Sequence, residues 1–97
     1  ESIGMEEKPS RIFKEKPNSS LIKSIELIRT GEADAVVSAG NTGALLAASL
    51  FLIGKIPGIK RPALAPLIPT SNGNFILCDA GANANSKSHH LVQFALM

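Results

Sequence analysis

The chain has no tryptophan or tyrosine and a single cysteine, Cys78. One cysteine excludes a disulfide framework within the chain and is typical of a reducing compartment. No positively charged stretch precedes an apolar run, so we expect no signal peptide. The most apolar segment, residues 44–53, is too short to cross a bilayer, which takes about 20 residues. These absences predict a soluble, cytoplasmic protein.

Carboxylates are scarce after the first third of the chain. Residues 1–34 hold six Lys or Arg against seven Asp or Glu, whereas residues 35–97 hold one carboxylate, that of Asp79. The cations of that second stretch are Lys55, Lys60, Arg61 and Lys87. This balance suits an anionic ligand or an acidic partner. Nucleic acid is disfavoured, because the stacking aromatics are missing and the basic residues do not cluster in the sequence.

The 97 residues, 44% of them hydrophobic, suit part or all of one small α/β domain. The chain opens at Glu1 rather than at a methionine and ends at Met97 within an apolar helical pattern. We therefore expect an internal portion of a longer protein. Residues 1–17 are rich in charge and carry two prolines, which predicts a solvated connecting segment.

The centre of the sequence is a glycine loop between two apolar runs. Residues 35–37 predict a buried strand, and residues 44–53 predict a helix that is apolar nearly all round. Glycine lets the backbone come close to a ligand, and the start of a helix offers unpaired N–H groups and a positive dipole end. The pattern predicts a phosphate site. Its residues are Ser38, Gly40, Asn41, Thr42 and Gly43.

Three further elements are predicted around this loop. A helix capped by Asn18, Ser19 or Ser20 runs to Thr30 and is stopped by Gly31. Its apolar face holds Leu21, Ile25 and Ile28, supported by Ile22. Residues 63–79 predict a hairpin with its turn at residues 71–74, and residues 75–78 form the strand that leads to Asp79.

A second loop, residues 79–85, repeats the small-residue pattern after a strand and before a helix. Ligands of open α/β sheets lie beyond the carboxyl ends of strands, so the two loops are expected at one site. Asp79 has two interpretations. It braces the loop by accepting backbone N–H groups, or it orients a cation or phosphate with the help of Asn83.

The sequence carries no dinucleotide fingerprint, P-loop, serine elbow or zinc spacing, so no cofactor or metal is expected. His89 and His90 are adjacent, and on a helix they diverge too far to share a ligand easily. Cys78 is interpreted as a small buried hydrophobe rather than a nucleophile.

Four blocks of this sequence are distinctive. They are AVVSAGNTGAL at 35–45, GKIPGIKRPALAP at 54–66, DAGAN at 79–83 and HLVQFALM at 90–97. Together they resemble the phosphate acyltransferase family of bacterial phospholipid synthesis, over roughly residues 18–97. The chain departs from the family pattern within residues 85–89, because Ser88 and His89 do not match it. Lys87 and His90 do match it.

The resemblance implies a three-layer α/β sandwich of the isocitrate and isopropylmalate dehydrogenase type, of which this chain is a fragment. It implies a cytoplasmic homodimer with peripheral membrane association. The implied reaction is transfer of a fatty acyl group from acyl carrier protein to inorganic phosphate. On this hypothesis the loop at 40–43 holds phosphate, and the catalytic residues are Asp79, Asn83, Lys87 and His90.

Two alternatives stay open from the residues alone. The glycine loops equally permit a module that binds a phosphometabolite or nucleotide without acyl transfer. A fragment without activity of its own is the other alternative, because the apolar helix at 44–53 calls for neighbouring segments or a partner subunit.

Overall fold

The computed structural model describes all residues, 1–97, and they form two compact units, Glu1–Gly54 and Lys55–Met97. The first unit is helical and the second combines a hairpin with one helix. The elements are a 3-10 turn at Pro9–Arg11, α1 at Ile12–Glu15, α2 at Ser20–Thr30, α3 at Thr42–Leu52, β1 at Leu67–Thr70, β2 at Gly73–Ile76 and α4 at Ser88–Leu96. None of these helices has the length and apolar character needed to cross a membrane.

Helix α2 forms where the capping pattern predicts it. The buried Ser19 is the N-cap, and its Oγ accepts the Ile22 N–H at 3.5 Å. Gly31 ends the helix in the left-handed region, at φ 78°, which a residue with a Cβ adopts only with strain. The buried face is centred on Ile22 and Ile25, while Leu21 and Ile28 of the predicted face are half-buried. The predicted helix and its cap are confirmed.

Helix α3 packs against α2 through small side chains. Ala44 and Ala48 are fully buried beside Ile22 and Ile25, and alanine lets the two helix backbones approach closely. The far side of α3 stays exposed, and Phe51 is 75% accessible. The predicted helix is formed, and these 97 residues provide packing partners for one of its faces only. Its burial by neighbouring segments or a partner subunit stays a prediction.

Most of residues 1–17 are exposed, as the predicted solvated connecting segment would be, but one helical turn of this segment joins the core. Ile12 on α1 is 1% exposed and belongs to the same core as α2 and α3. The ring of Phe13 lies 5.0 Å, centroid to centroid, from that of Phe51. Two adjacent apolar residues among the charges of this segment are enough to dock a single helical turn.

The predicted hairpin is confirmed, with β1 and β2 antiparallel and Leu67 opposite Ile76. Its bounds differ from the prediction, because the turn takes residues 71–72 only and the second strand is Gly73–Ile76 rather than residues 75–78. Thr70 pairs with Gly73 across the turn. The strand predicted at residues 35–37 is not formed, and Val37 is 98% exposed. The reason is physical, because a strand needs a neighbour to accept its backbone hydrogen bonds and the first unit contains no other strand.

Gly43 supports a stability prediction. A Cβ built on this residue falls 2.7 Å from Cγ of Pro9, an atom of a closed ring rather than the end of a flexible side chain. Alanine is normally the better helix former by about 1 kcal/mol, yet here we expect Gly43→Ala to destabilise the protein by about 1–3 kcal/mol. Urea denaturation measures the change. Replacing Pro9 by alanine in the same protein removes Cγ and should restore much of the loss; equal destabilisation in both backgrounds would contradict the clash.

Candidate functional site

The loop that precedes α3 presents free donors at its end. Ser38 is exposed, and its Oγ accepts the Gly40 N–H at 3.2 Å. Thr42 is the first residue of α3 and is also exposed. The N–H groups of Thr42 and Gly43 have no partner within the helix, as at every helix start. These donors and the helix dipole make the loop suited to an anion.

Asn41 lies in this loop but its side chain is committed elsewhere. It is 7% exposed, and its Oδ1 caps α3 by accepting the Ala44 N–H at 3.0 Å. Its Nδ2 lies 3.0–3.1 Å from three backbone carbonyl oxygens, those of Gly4, Met5 and Glu7. Side-chain contact with a ligand is therefore left to Ser38 and Thr42, while Asn41 shapes the loop.

The segment held by Asn41 has a brace of its own. Oε1 of Glu7 accepts the Gly4 N–H at 2.7 Å and the Lys16 ammonium at 2.6 Å. The hydrogen bond from Lys16, followed by the one from Gly4, lowers the pKa of the Glu7 carboxyl. Sequence reasoning missed this brace, because nothing in a charge-rich stretch distinguishes one carboxylate from its neighbours.

An open cavity of about 300 Å³ lies beside Ser38 in the first unit. Three hydroxyl-bearing residues and four apolar ones line it. They are Ser20, Ser24, Ser38, Leu21, Val36, Val37 and Ala39. Sequence reasoning did not connect the start of α2 with this loop, since the contact joins residues far apart in the chain.

In the second unit, Asp79 holds the loop at residues 79–83 in shape. Its Oδ1 accepts the N–H groups of Leu64 at 2.9 Å and Ala82 at 3.1 Å. Its Oδ2 accepts the backbone N–H and the Nδ2 of Asn83, at 2.8 and 2.9 Å. Burial acts to raise the pKa of Asp79, but these donors outweigh it and the pKa lies below its ordinary value. This geometry agrees with the bracing interpretation.

Asn83 is tied into the same arrangement. Besides Asp79, its Nδ2 donates to the Pro62 carbonyl at 2.9 Å, so the loop is joined to the start of the segment that leads to the hairpin. Cys78, which precedes this loop, is a partly buried free thiol.

Lys87 and His90 meet at the start of α4. Lys87 is the N-cap residue, and its backbone N–H donates to Nδ1 of His90 at 3.1 Å. His90 is 5% exposed, and burial is the first cause that lowers its pKa. The charges of His89, Arg61, Lys87 and Lys60 add to that effect, in this order. The hydrogen bond from the Lys87 N–H to Nδ1 and the lowered pKa both favour the neutral imidazole.

The structure thus brings the predicted residues together in three groups. One is the loop from Ser38 to Gly43, the second is the Asp79–Asn83 pair, and the third is the Lys87–His90 pair. No three histidine, cysteine or carboxylate side chains converge in a way that would hold a metal ion.

Comparison with known proteins matches all of residues 1–97 to the family described as "Fatty acid synthesis protein". The chain belongs to this family. It is 53% identical to a protein named "Phosphate acyltransferase" from Exiguobacterium sp., over 98 residues that cover 100% of this chain and 30% of that protein. It is 51% identical to one of the same name from Staphylococcus epidermidis, over 98% of this chain and 30% of the relative. It is 50% identical to the protein of the same name from Desulforamulus reducens, over 100% of this chain and 29% of that relative. The chain therefore spans about 30% of the length of these relatives.

The Asn41 clamp gives a prediction about the loop. Asn41→Asp keeps the oxygen that caps α3 but removes the donor and sets a negative charge against three carbonyl oxygens. We expect a loss of about 2–4 kcal/mol in unfolding free energy, since each buried acceptor left unpaired costs about 1–3 kcal/mol. Chemical denaturation measures it, with the exposed Asn18→Asp as the matched control. A stable Asn41→Asp protein would show that the three carbonyl contacts contribute nothing.

Asp79 gives a prediction with a pH dependence. Asp79→Asn places an amide donor against the donors of Asn83, so we expect about 1–3 kcal/mol of destabilisation at pH 7. Because folding lowers the Asp79 pKa, its contribution is present above the ordinary value near 3.8 and is lost as the pH falls through the folded value. The difference between wild type and Asp79→Asn should therefore shrink on acidification. Urea unfolding at pH 7, 4 and 3 measures this, with Asp34→Asn as control; an unchanged difference would refute the linkage.

Proposed function

We propose that the protein is a phosphate acyltransferase, which moves a fatty acyl group from acyl carrier protein to inorganic phosphate and supplies acyl phosphate for phospholipid synthesis. The observation that carries this proposal is identity of 50–53% to proteins of that name along essentially the whole chain. The substrates and the product belong to the proposal together with the activity.

The phosphate is assigned to the loop at the start of α3. Its N–H groups at Thr42 and Gly43 are unpaired, and the Thr42 and Ser38 hydroxyls are exposed beside them. The helix dipole contributes about 0.3–1 kcal/mol to anion binding at such a place. Gly40 has no side chain to block the approach to the backbone, whereas the missing side chain of Gly43 makes room for Pro9.

The reaction needs no nucleophile from the protein. A phosphate oxygen attacks the carbonyl carbon of the thioester, a tetrahedral oxyanion forms, and the carbon–sulfur bond breaks to release the thiolate of the carrier. Positioning the two reactants is worth up to about 7–11 kcal/mol, and each donor to the oxyanion adds about 3–4 kcal/mol. In this proposal the loop braced by Asp79 and Asn83, with Lys87 or His90, faces the carbonyl or the departing thiolate.

The larger architecture belongs to the same proposal. We assign the chain to a three-layer α/β sandwich of the isocitrate and isopropylmalate dehydrogenase type, within a cytoplasmic homodimer that associates peripherally with the membrane. The features that support a larger sheet are the unpaired segment around Val37, the exposed Phe51 near the end of α3, and the exposed Ile53 just after it.

Thr42→Ala tests the phosphate assignment, because it removes one exposed hydroxyl without touching the core. In the protein expressed from its complete reading frame, we expect the KM for phosphate to rise about tenfold or more, the value of a hydrogen bond to a charged group. The KM for the acyl thioester should stay the same. Steady-state kinetics with each substrate varied in turn measures both constants, and Thr30→Ala on α2 is the matched control.

Direct attack of phosphate on the thioester predicts that no acyl group is bound covalently to Cys78. Acylation of Cys78, trapped by mass spectrometry when phosphate is withheld, would overturn direct attack. Unchanged phosphate dependence in Thr42→Ala would overturn the assignment of the loop, and absence of any acyl transfer would overturn the proposed activity.

A further inference from the structure

One ion pair of the first unit differs from the other two in what it connects. Two of the pairs join exposed residues three or four positions apart, a kind of pair that contributes little to stability. They are Arg11–Glu15 and Lys23–Glu26. The Lys16 ammonium, in contrast, lies 2.6 Å from Oε1 of Glu7, and each of these side chains is only about one-third exposed. This pair therefore links two segments of the chain.

Lys16 is fixed to the helices of the first unit through its backbone. Its N–H donates to the carbonyl of Ile12, a core residue, at 2.8 Å. Its carbonyl accepts the N–H of Ser19, the N-cap of α2, at 3.1 Å. From this fixed position the ammonium donates to the Ser2 carbonyl at 2.7 Å and to Glu7. Lys16 thus anchors the segment at residues 2–7 to α1 and α2.

Glu7 connects this anchor to the Asn41 clamp. Its Oε1 also accepts the Gly4 N–H, at 2.7 Å, and the backbone carbonyls of Gly4 and Glu7 each accept Nδ2 of Asn41 at 3.1 Å. Oδ1 of Asn41 in turn accepts the Ala44 N–H in the first turn of α3. A series of hydrogen bonds therefore runs from Lys16, through Glu7 and Asn41, to the helix start assigned to phosphate.

The ion pair is not the only attachment of this segment. Ile3 packs against the core, and the Glu1 carbonyl accepts the Ser20 N–H at 3.0 Å. Loss of the pair should therefore relax the segment without unfolding the first unit. What the pair adds is a fixed geometry, because hydrogen bonds between charged groups are shorter and stronger than neutral ones.

We propose that Lys16 and Glu7 are positioning residues of the loop at the start of α3 and that they set its affinity for phosphate through Asn41. This inference rests on the proposed function, in which the N–H groups of Thr42 and Gly43 bind phosphate. Holding Asn41 from behind preorganises these donors, so less conformational freedom is lost when the anion binds. The effect belongs to phosphate binding and not to the chemical step.

Lys16→Met tests the positioning role, because it keeps most of the aliphatic chain and removes the ammonium. In the protein expressed from its complete reading frame, the KM for inorganic phosphate should rise about three- to tenfold, less than for loss of a direct hydrogen bond to a charged ligand. The kcat and the KM for the acyl thioester should stay the same. Lys16→Arg keeps the charge and the donors and should stay close to wild type. Lys23→Met breaks the exposed pair with Glu26 and is the matched control.

Amide hydrogen exchange of the same variants reports on the loop without catalysis. The N–H of Ala44 is bonded to the Asn41 side chain and that of Leu45 to the Asn41 carbonyl, so both should exchange faster in Lys16→Met. The N–H of Ala48, one turn farther along α3, should exchange as in wild type. Equal acceleration at all three would indicate a general loss of stability and would overturn the positioning role.

The two measurements separate this inference from the proposed function. Where the wild type transfers acyl groups to phosphate, an unchanged phosphate KM in Lys16→Met, or the same rise in Lys23→Met, overturns the positioning role and leaves the activity standing. A fall in kcat without a change in the phosphate KM overturns it as well. A wild type without phosphate-dependent transfer overturns the proposed function instead, and exchange at Ala44 then decides alone whether the pair positions the loop.

Discussion

The first unit depends on one amide group. The side-chain oxygen of Asn41 caps α3, and its nitrogen donates to the backbone carbonyls of Gly4, Met5 and Glu7. A single side chain thus pairs backbone groups from two segments that are distant in the sequence. Buried backbone groups must be paired, and no apolar residue can do this. The clamped segment leads into Pro9, which packs against Gly43. The N–H groups of Thr42 and Gly43 stay unpaired, as at every helix start. The shape of the candidate anion site is thus a consequence of hydrogen bonding at its back.

In the second unit, a carboxylate rather than an amide pairs the backbone groups of a loop. Asp79 receives four N–H donors from three residues and closes a loop too rich in glycine and alanine to hold its own shape. Both loops therefore have a buried or half-buried polar side chain that pairs the backbone groups of the loop. A residue of this kind can shape a candidate site without contacting a ligand.

Local patterns predicted the parts of this fold that are held by local bonds. Ser19, Gly31 and the hairpin turn act within a few residues of themselves, so α2 and the β1–β2 pair could be found from sequence. The docking of Ile12, the Asn41 clamp and the contact of Gln93 with Lys60 join residues at least ten positions apart, and no periodicity encodes them. The strand expected at residues 35–37 failed for the same reason, since β pairing belongs to two segments. Lys87 and His90 could be named from family resemblance, but their hydrogen bond could not.

The unpaired segment and the one-sided helix bear on the proposed sheet. Val37 is 98% exposed and Phe51 75% exposed, although both belong to apolar runs that are costly to leave in water. A parallel strand buried on both faces reads as such a run, and a helix that covers a sheet on one side and another layer on the other is apolar all round. The sequence around the glycine loop at residues 38–43 therefore has the composition of a sheet interior, whereas the 97 residues supply a helix to one side of α3 alone. A neighbouring strand paired with residues 35–37 would bury both Val37 and the exposed side of α3. Residues 35–37 would then form a strand with the loop at residues 38–43 at its carboxyl end, where ligands of α/β sheets bind.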